Sequence, residues 1–280
     1  MKDFKIGLQL YTIRDDMDKD MDASLGKVAE MGYEYVEFAG GYRGRSADEV
    51  KALLDKHGLK CNSVHQAPQM FIDQGQEAVD FFKAFNVKYV AIPHYPITKL
   101  AGSEEWDDTV KLFTDLGKLL RTNGMQLLYH NHDFEFNTFE DKYLIDHLFD
   151  TIPDDLILPE FDTCWVKYGG EDPCKYIEKF AGKIKVLHMK DFVCDKIGAG
   201  APVYALIDNE GKVQSRKTSF NDNGFHYRPC GKGMQDFDAI LASAEKAGID
   251  YLIVEQDVSE DMPAMEAAKV SRDYFKSLGI

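Results

Sequence analysis

The chain has 280 residues, 44% hydrophobic and 12% aromatic, which is enough for one large core and short of two full enzyme domains. With 48 acidic against 33 basic residues its formal charge is −15, which argues against nucleic acid and anionic membrane surfaces as partners, because phosphate contacts need local positive charge. No apolar run is as long as a membrane span, the start MKDFKIGLQLYTIRDD does not have the form of a signal peptide, and the 5 cysteines are dispersed without a Cys-x-x-Cys pair. A soluble chain in a reducing, cytoplasmic setting is expected.

In chain order, short apolar runs alternate with longer amphipathic ones. The strand candidates are FKIGLQL (4–10), YEYVEF (33–38), LKCNSVH (59–65), VKYVAIP (87–93), MQLLYHNH (125–132), LILPEFD (156–162), IKVLHMK (184–190) and YLIVEQD (251–257). Helical stretches lie between them: MDASLGKVAEMG, SADEVKALLDKHG, GQEAVDFFKAF, EEWDDTVKLFTDLGKLLRTNG, DKYLIDHLFD, EDPCKYIEKFAG and MQDFDAILASAEKAG, with DMPAMEAAKVSRDYFKSLG after the last strand. Gly32, Gly58, Gly124, Gly182 and Gly248 stand where a left-handed helix cap before a strand belongs. Eight such units in a chain near the usual ~250 residues predict one (β/α)₈ TIM-barrel domain over 1–280.

One region breaks the rhythm. Residues 192–233 are too many for an ordinary βα loop, so an insertion is expected between strand 7 and helix 7, with VYALIDNEGKVQSR as a hairpin turning near Asn209 and Gly211. An insertion there overhangs the C-terminal mouth, where active sites of this fold lie. No Gly-x-Gly-x-x-Gly or Walker sequence is present; CGKGMQDF, with two glycines near a helix start, is a weak candidate anion cradle.

The last four strands end in YHNHDFE, PEFDTCW, LHMKD and VEQD. Strand alternation lets His130 and His132, Glu160 and Asp162, His188 and Lys190, and Glu255 and Asp257 share faces, above an inward layer of Leu128, Leu158, Val186 and Ile253. Mixed imidazoles and carboxylates around one centre suit a divalent Mn, Co, Zn or Mg ion. Any one of these residues taken singly reads more readily as a solvated strand tip or a hydrogen-bonded structural residue; four consecutive strands ending alike favour a site.

The same residues carry a resemblance. LLYHNHDFEF, FDTCWVKYGGEDP, KVLHMKDF, CGKGMQDF and IVEQD, with the eight-strand spacing, resemble the sugar phosphate isomerase/epimerase family of xylose-isomerase-like TIM barrels over essentially the whole chain. Members of that family hold one divalent metal with a Glu, an Asp, a His and a Glu from strands five to eight. The resemblance carries the Asp to Asp162, the His to His188 and the last Glu to Glu255. The first Glu does not carry over, because His130 stands in its place in His130-Asn131-His132. Family epimerases trade a proton between two metal-bound glutamates, and one of the pair is absent here. Either His130 or His132 replaces it as ligand or base, or Glu160 supplies the lost carboxylate; Glu160 reads equally as a residue one layer deeper that orients a histidine.

Around this centre, His65 and His94 at the ends of strands three and four, with Gln9, Glu37, Tyr11 and Trp165, are candidate sugar contacts with packing or loop-capping as the alternative. Lys190 is a candidate for stabilising an oxyanion or gripping an anionic group, and its alternative is an ion pair with Asp191; Arg216, Lys217 and Arg228 of the insertion are candidates for the same anion. The resemblance implies a divalent-metal-dependent isomerase or epimerase on a sugar-like ketone, working through an enediolate with Glu255 or a histidine as base. The missing glutamate makes a lyase or dehydratase on a keto-sugar, keto-inositol or 3-keto-glycoside the main alternative. A non-catalytic sugar-binding barrel and an apurinic-endonuclease-like nuclease are further readings, the latter opposed by the acidic charge. The expected partner is a small carbohydrate, with a homo-oligomer possible.

Overall fold

The computed structural model describes residues 2–97, 102–198 and 223–280. From the N-terminus come β1 (Lys5–Gln9), α1 (Arg14–Lys19), α2 (Met21–Glu30), β2 (Tyr35–Ala39), α3 (Ala47–His57), β3 (Lys60–His65), α4 (Pro68–Gln74), α5 (Gln76–Ala84), β4 (Tyr89–Ile92), α6 (Glu104–Thr122) and β5 (Gln126–His130). There follow the two-residue strands β6 (Thr138–Phe139) and β7 (Lys142–Tyr143), then α7 (Leu144–Thr151), β8 (Ile157–Glu160), α8 (Thr163–Tyr168), α9 (Pro173–Lys179) and β9 (Val186–Met189). The chain finishes with β10 (Asp191–Val193), β11 (His226–Arg228), α10 (Phe237–Ala247), β12 (Tyr251–Val254) and α11 (Ala264–Ser277). Every predicted strand is present, and each of the five predicted capping glycines has a positive φ, between 68° and 88°. The short helices α1, α4 and α8 carry too few turns to show a hydrophobic period.

Eight strands form one parallel sheet in the order β8-β5-β4-β3-β2-β1-β12-β9. A parallel bridge between Asp162 and His188 joins its ends, with the His188 N–H donating to the Phe161 carbonyl at 2.9 Å, and the sheet becomes a barrel ringed by helices. The predicted inward layer is real: Leu128, Leu158, Val186 and Ile253 pack together with Tyr35, Ala91 and Tyr251 inside the barrel. A larger apolar cluster fills the space between strands and helices, drawing on Leu8, Val36, Val64, Val90, Leu127 and Leu252 from alternate strand positions.

At the ends of the predicted insertion, β10 and β11 pair antiparallel, Phe192 opposite Tyr227. Phe225 and Tyr227 join Trp165, Tyr168 and Phe192 in a separate buried aromatic cluster. The hairpin expected around Asn209 and Gly211, together with Arg216 and Lys217, lies outside the described residues. No helix among the described residues is long and apolar enough to cross a membrane.

Gly117 shows how closely the helical layer approaches the strands. A Cβ there would lie 2.6 Å from the backbone oxygen of Leu156, just before β8. Backbone cannot yield as a flexible side chain does, so Gly117→Ala is expected to destabilise the fold by about 1–3 kcal/mol. Urea unfolding would measure this, and an unchanged midpoint would refute the close approach.

Candidate metal centre and active site

The barrel seam brings the chemistry together. Because β5, β8, β9 and β12 are neighbours, His130, Glu160, His188 and Glu255 arrive side by side at the C-terminal ends, with His130 in register with Glu160. Asp162, two residues past β8, caps α8: its Oδ1 accepts from the Cys164 N–H at 2.8 Å and the Trp165 N–H at 3.4 Å. That leaves Oδ2 facing inward, 2.8 Å from Lys190 Nζ and 3.8 Å from His130 Nε2. Asn131 Oδ1 accepts from the Asp162 N–H at 2.9 Å and so ties the strand-five motif to the same carboxylate.

Two overlapping groups of buried donors have atoms within 4.8 Å of one another: His130, Asp162, His188 and Glu255, and beside them His65, His130, Glu160 and His188. In the first group two imidazoles and two carboxylates converge, a donor set that suits a borderline divalent ion. The expected ligands Asp162, His188 and Glu255 thus stand together with His130, while Glu160 falls in the second group. Its Oε1 lies 2.6 Å from His65 Nε2, 3.3 Å from His188 Nε2 and 3.4 Å from His130 Nδ1.

The electrostatics separate the histidines. His188 sits between carboxylates, with Nδ1 2.9 Å from Glu255 Oε2 and Nε2 2.7 Å from Glu37 Oε2. Burial opposes its charged form, yet Glu37 and Glu160 overcome this and raise its pKa well above the usual imidazole value. His130 goes the other way: burial and the neighbouring His188 push it down to about 3, so its ring is neutral, the form that ligates metal. Burial, with His130 next to it, likewise lowers His132 well below the ordinary value. His132 belongs to neither donor group; its ring stacks parallel to Phe134 with centroids 5.6 Å apart and meets Trp165 at 5.8 Å.

Lys190 is 1% exposed, with Nζ 2.8 Å from Asp162, 3.0 Å from Glu255 and 3.2 Å from Asp257. Burial works against its charge, but Asp162, Asp257 and Glu255 outweigh it and raise the pKa well above that of a free lysine. The alternative partner, Asp191, is engaged elsewhere: its carboxylate accepts N–H groups from Phe192, Gly231, Gly233 and Gln235 at 2.8–3.1 Å. The glycine cradle of CGKGMQDF is therefore filled by the chain's own Asp191, and a Cβ at Gly233 would lie 2.2 Å from Asp191 Oδ1.

The remaining expected contacts are distributed unevenly. His65 is buried in the ion cluster and stacks on His188 at 4.9 Å. His94 is half-buried beside His132 and Phe134. Trp165 is fully buried, one face parallel to Phe225 at 5.5 Å and Lys190 Nζ 5.2 Å from its ring centroid, so it walls the site from inside the aromatic cluster. Tyr11 holds the Arg14 guanidinium over its ring at 4.1 Å. Arg228 spends a guanidinium N–H on the Tyr227 carbonyl.

A model of the xylose isomerase-like TIM barrel matches residues 25–278. The chain belongs to that family. Among curated relatives it is 30% identical over 179 residues to the inosose dehydratase of Clostridium botulinum (strain Alaska E43 / Type E3), covering 62% of this chain and 54% of that one. Against the inosose dehydratase of Clostridium perfringens (strain ATCC 13124) it is 27% identical over 217 residues, or 70% and 67% of the two chains. The chain thus spans about half to two thirds of the length of the curated relatives it matches. A crystal structure of a sugar phosphate isomerase/epimerase from Parabacteroides distasonis superposes with a TM-score of 0.74 at 22% identity, covering 99% and 95% of the two chains. An IolI protein with a bound zinc atom superposes at 0.68 and 18% identity, covering 98% and 97%. These structural likenesses establish the fold.

Glu135 was not a candidate in the sequence, because its role depends on a buried turn after β5. It is fully buried, its Oε1 2.8 Å from the Tyr129 hydroxyl and its Oε2 accepting the His132 N–H at 2.7 Å. Burial raises its pKa to about 8, and a protonated Glu135 can donate to Tyr129, whose hydroxyl reaches the Tyr95 carbonyl at 3.3 Å. Between the ordinary glutamate pKa and about 8 the folded state holds a proton that the unfolded chain has released, so this residue makes stability fall as pH rises through that window. Glu135→Gln is expected to flatten that part of the profile in urea melts from about pH 5 to 9; an unaltered slope would show that Glu135 is ionised in the fold.

Proposed function

We propose that this chain is a divalent-metal-dependent lyase that eliminates water or a glycosidic oxygen from a keto-sugar or keto-polyol, with His130, Asp162, His188 and Glu255 as the metal ligands. The observation that carries the reading is His130 in the place of a glutamate, beside Asp162, His188 and Glu255. A family epimerase needs two facing glutamates, and the position the resemblance gives to the second is His130 here. The inosose dehydratases among its relatives support elimination, as does the resemblance in fold to a probable 3-DHS dehydratase from Bacillus anthracis.

A bound divalent cation would act as a Lewis acid on the substrate carbonyl and acidify the adjacent C–H. His132, neutral and outside the ligand set, takes that proton on a ring nitrogen. The C–H electron pair becomes the new C=C bond as the β C–O bond breaks. The proton held by His132 passes to the departing oxygen, so water or an alcohol leaves and the imidazole returns to its neutral form. Lys190, fixed by three carboxylates, presents its ammonium to the negative charge that develops on oxygen. The aromatic wall of Trp165, Phe225 and Tyr227 excludes water from that charge.

Two measurements test this reading. Asp162→Ala, His188→Ala and Glu255→Ala are each expected to weaken Zn²⁺ or Co²⁺ binding by more than about 100-fold, since even outer partners of a metal site are worth roughly 10–100-fold. Full metal occupancy in the triple variant would refute the ligand assignment. With Mn²⁺ or Co²⁺ and a panel of keto-inositols, 3-keto-glycosides and ketoses, NMR in deuterated water should show an unsaturated product and release of water or aglycone. His132→Ala should lower kcat by about 10²–10⁴-fold with metal content intact. An epimer or isomer as the sole product would instead support the isomerase reading, and sugar binding without exchange or turnover a non-catalytic barrel.

A further inference from the structure

Glu37 is the middle residue of β2, a strand separated from β9 in the sheet by β1 and β12, yet its fully buried carboxylate reaches across the barrel interior to His188. Its Oε2 lies 2.7 Å from His188 Nε2, accepts from Gln9 Nε2 at 2.8 Å and is 3.2 Å from His65 Nε2. Glu160 also approaches His188 Nε2, at 3.3 Å, but its shortest contact, 2.6 Å, is with His65. Glu37 is therefore the closest acceptor for that nitrogen.

We propose that Glu37, braced by Gln9, is the positioning residue that fixes the tautomer and rotation of His188, holding the proton on Nε2 so that Nδ1 is the atom offered to the metal. The chemistry is restrictive. Both ring nitrogens of His188 face carboxylates, Nε2 that of Glu37 and Nδ1 that of Glu255, so both can donate; a cation held by Glu255 would displace the Nδ1 proton and leave the Nε2–H on Glu37. Nδ1 is the atom on the side of Glu255, 2.9 Å from its Oε2, and His188 and Glu255 share a donor group with Asp162. Gln9 removes Glu37's freedom to turn away: its Oε1 accepts the Tyr11 N–H at 3.1 Å, which orients its amide so that Nε2 donates to Glu37. The ligand histidine is thus set by a residue 151 positions away in sequence.

This inference rests on the metal reading above, and the test separates the two. In the zinc-loaded wild-type protein, ¹⁵N-histidine NMR should find His188 protonated at Nε2 and metallated at Nδ1; the opposite tautomer overturns the proposal without any variant. Glu37→Gln, whose amide can turn its donor towards Nε2, should weaken Zn²⁺ affinity by about 10–100-fold in chelator competition and make the His188 signal heterogeneous. Gln9→Leu, which leaves the carboxylate in place, should show a smaller loss in the same direction. Wild-type affinity in Glu37→Gln with the Nε2–H tautomer retained overturns the role of Glu37 while leaving the metal site standing. Zinc binding that survives loss of Asp162 and Glu255, or no zinc binding by the wild type, overturns both.

Discussion

Five carboxylates, those of Glu37, Glu160, Asp162, Glu255 and Asp257, lie in the barrel mouth with at most 5% exposure each. Anions withdrawn from water persist only where cations and hydrogen-bond donors compensate them. Lys190 answers Asp162, Glu255 and Asp257; His65 and His188, both with raised pKa values, answer Glu37 and Glu160. His130 remains neutral because burial, and then the neighbouring His188, disfavour its charged form. On the ligand set proposed above, a divalent ion would displace at most the Nδ1 proton of His188 and bring two positive charges to Asp162 and Glu255, carboxylates that Lys190 already borders.

The same residues hold the fold together. The bridge that closes the barrel runs between Asp162 and His188, and Asp162 also caps α8 and anchors Asn131 of the strand-five motif. α8 in turn delivers Trp165, whose buried ring borders both Lys190 and the residues arriving on β11. A change of the Asp162 side chain therefore removes the cap of α8 and one member of the donor set at once, while the backbone bonds of the seam remain. Metal affinity and unfolding must be read separately before lost turnover at that position is given a chemical meaning.

The eight strands were legible because each is a short apolar run, five of them preceded by a positive-φ glycine after a helix, a local pattern. The strand-end pairs were legible for a related reason: alternation alone places His130, Asp162, His188 and Glu255 above the layer of Leu128, Leu158, Val186 and Ile253. What alternation cannot convey is which residue crosses the barrel. Glu37 and Gln9 look like any polar strand tip until the closed sheet brings β1 and β2 opposite β9. Glycine-rich CGKGMQDF suggested an external anion for the same reason, since its real occupant, Asp191, is about 40 residues earlier and becomes its neighbour only through the β10–β11 pairing. As candidates for the fourth position His130 and Glu160 were indistinguishable in one dimension; in the fold His130 stands in both donor groups and Glu160 in the one with His65.

That placement bears on the direction of the chemistry. Returning a proton to the opposite face of a carbon calls for two bases of comparable strength on opposite sides of the substrate. Here the acid–base groups differ in kind: Glu255 is held ionised, burial notwithstanding, by Lys190 and His188, while His132 is a neutral imidazole against Phe134 and Trp165. Both groups have pKa values well below the ordinary ones, so each rests in its unprotonated form. A neutral imidazole can take a proton and give it back on one face. On the elimination proposed above, this difference in kind suits removal of a proton and a leaving group together rather than exchange between two faces.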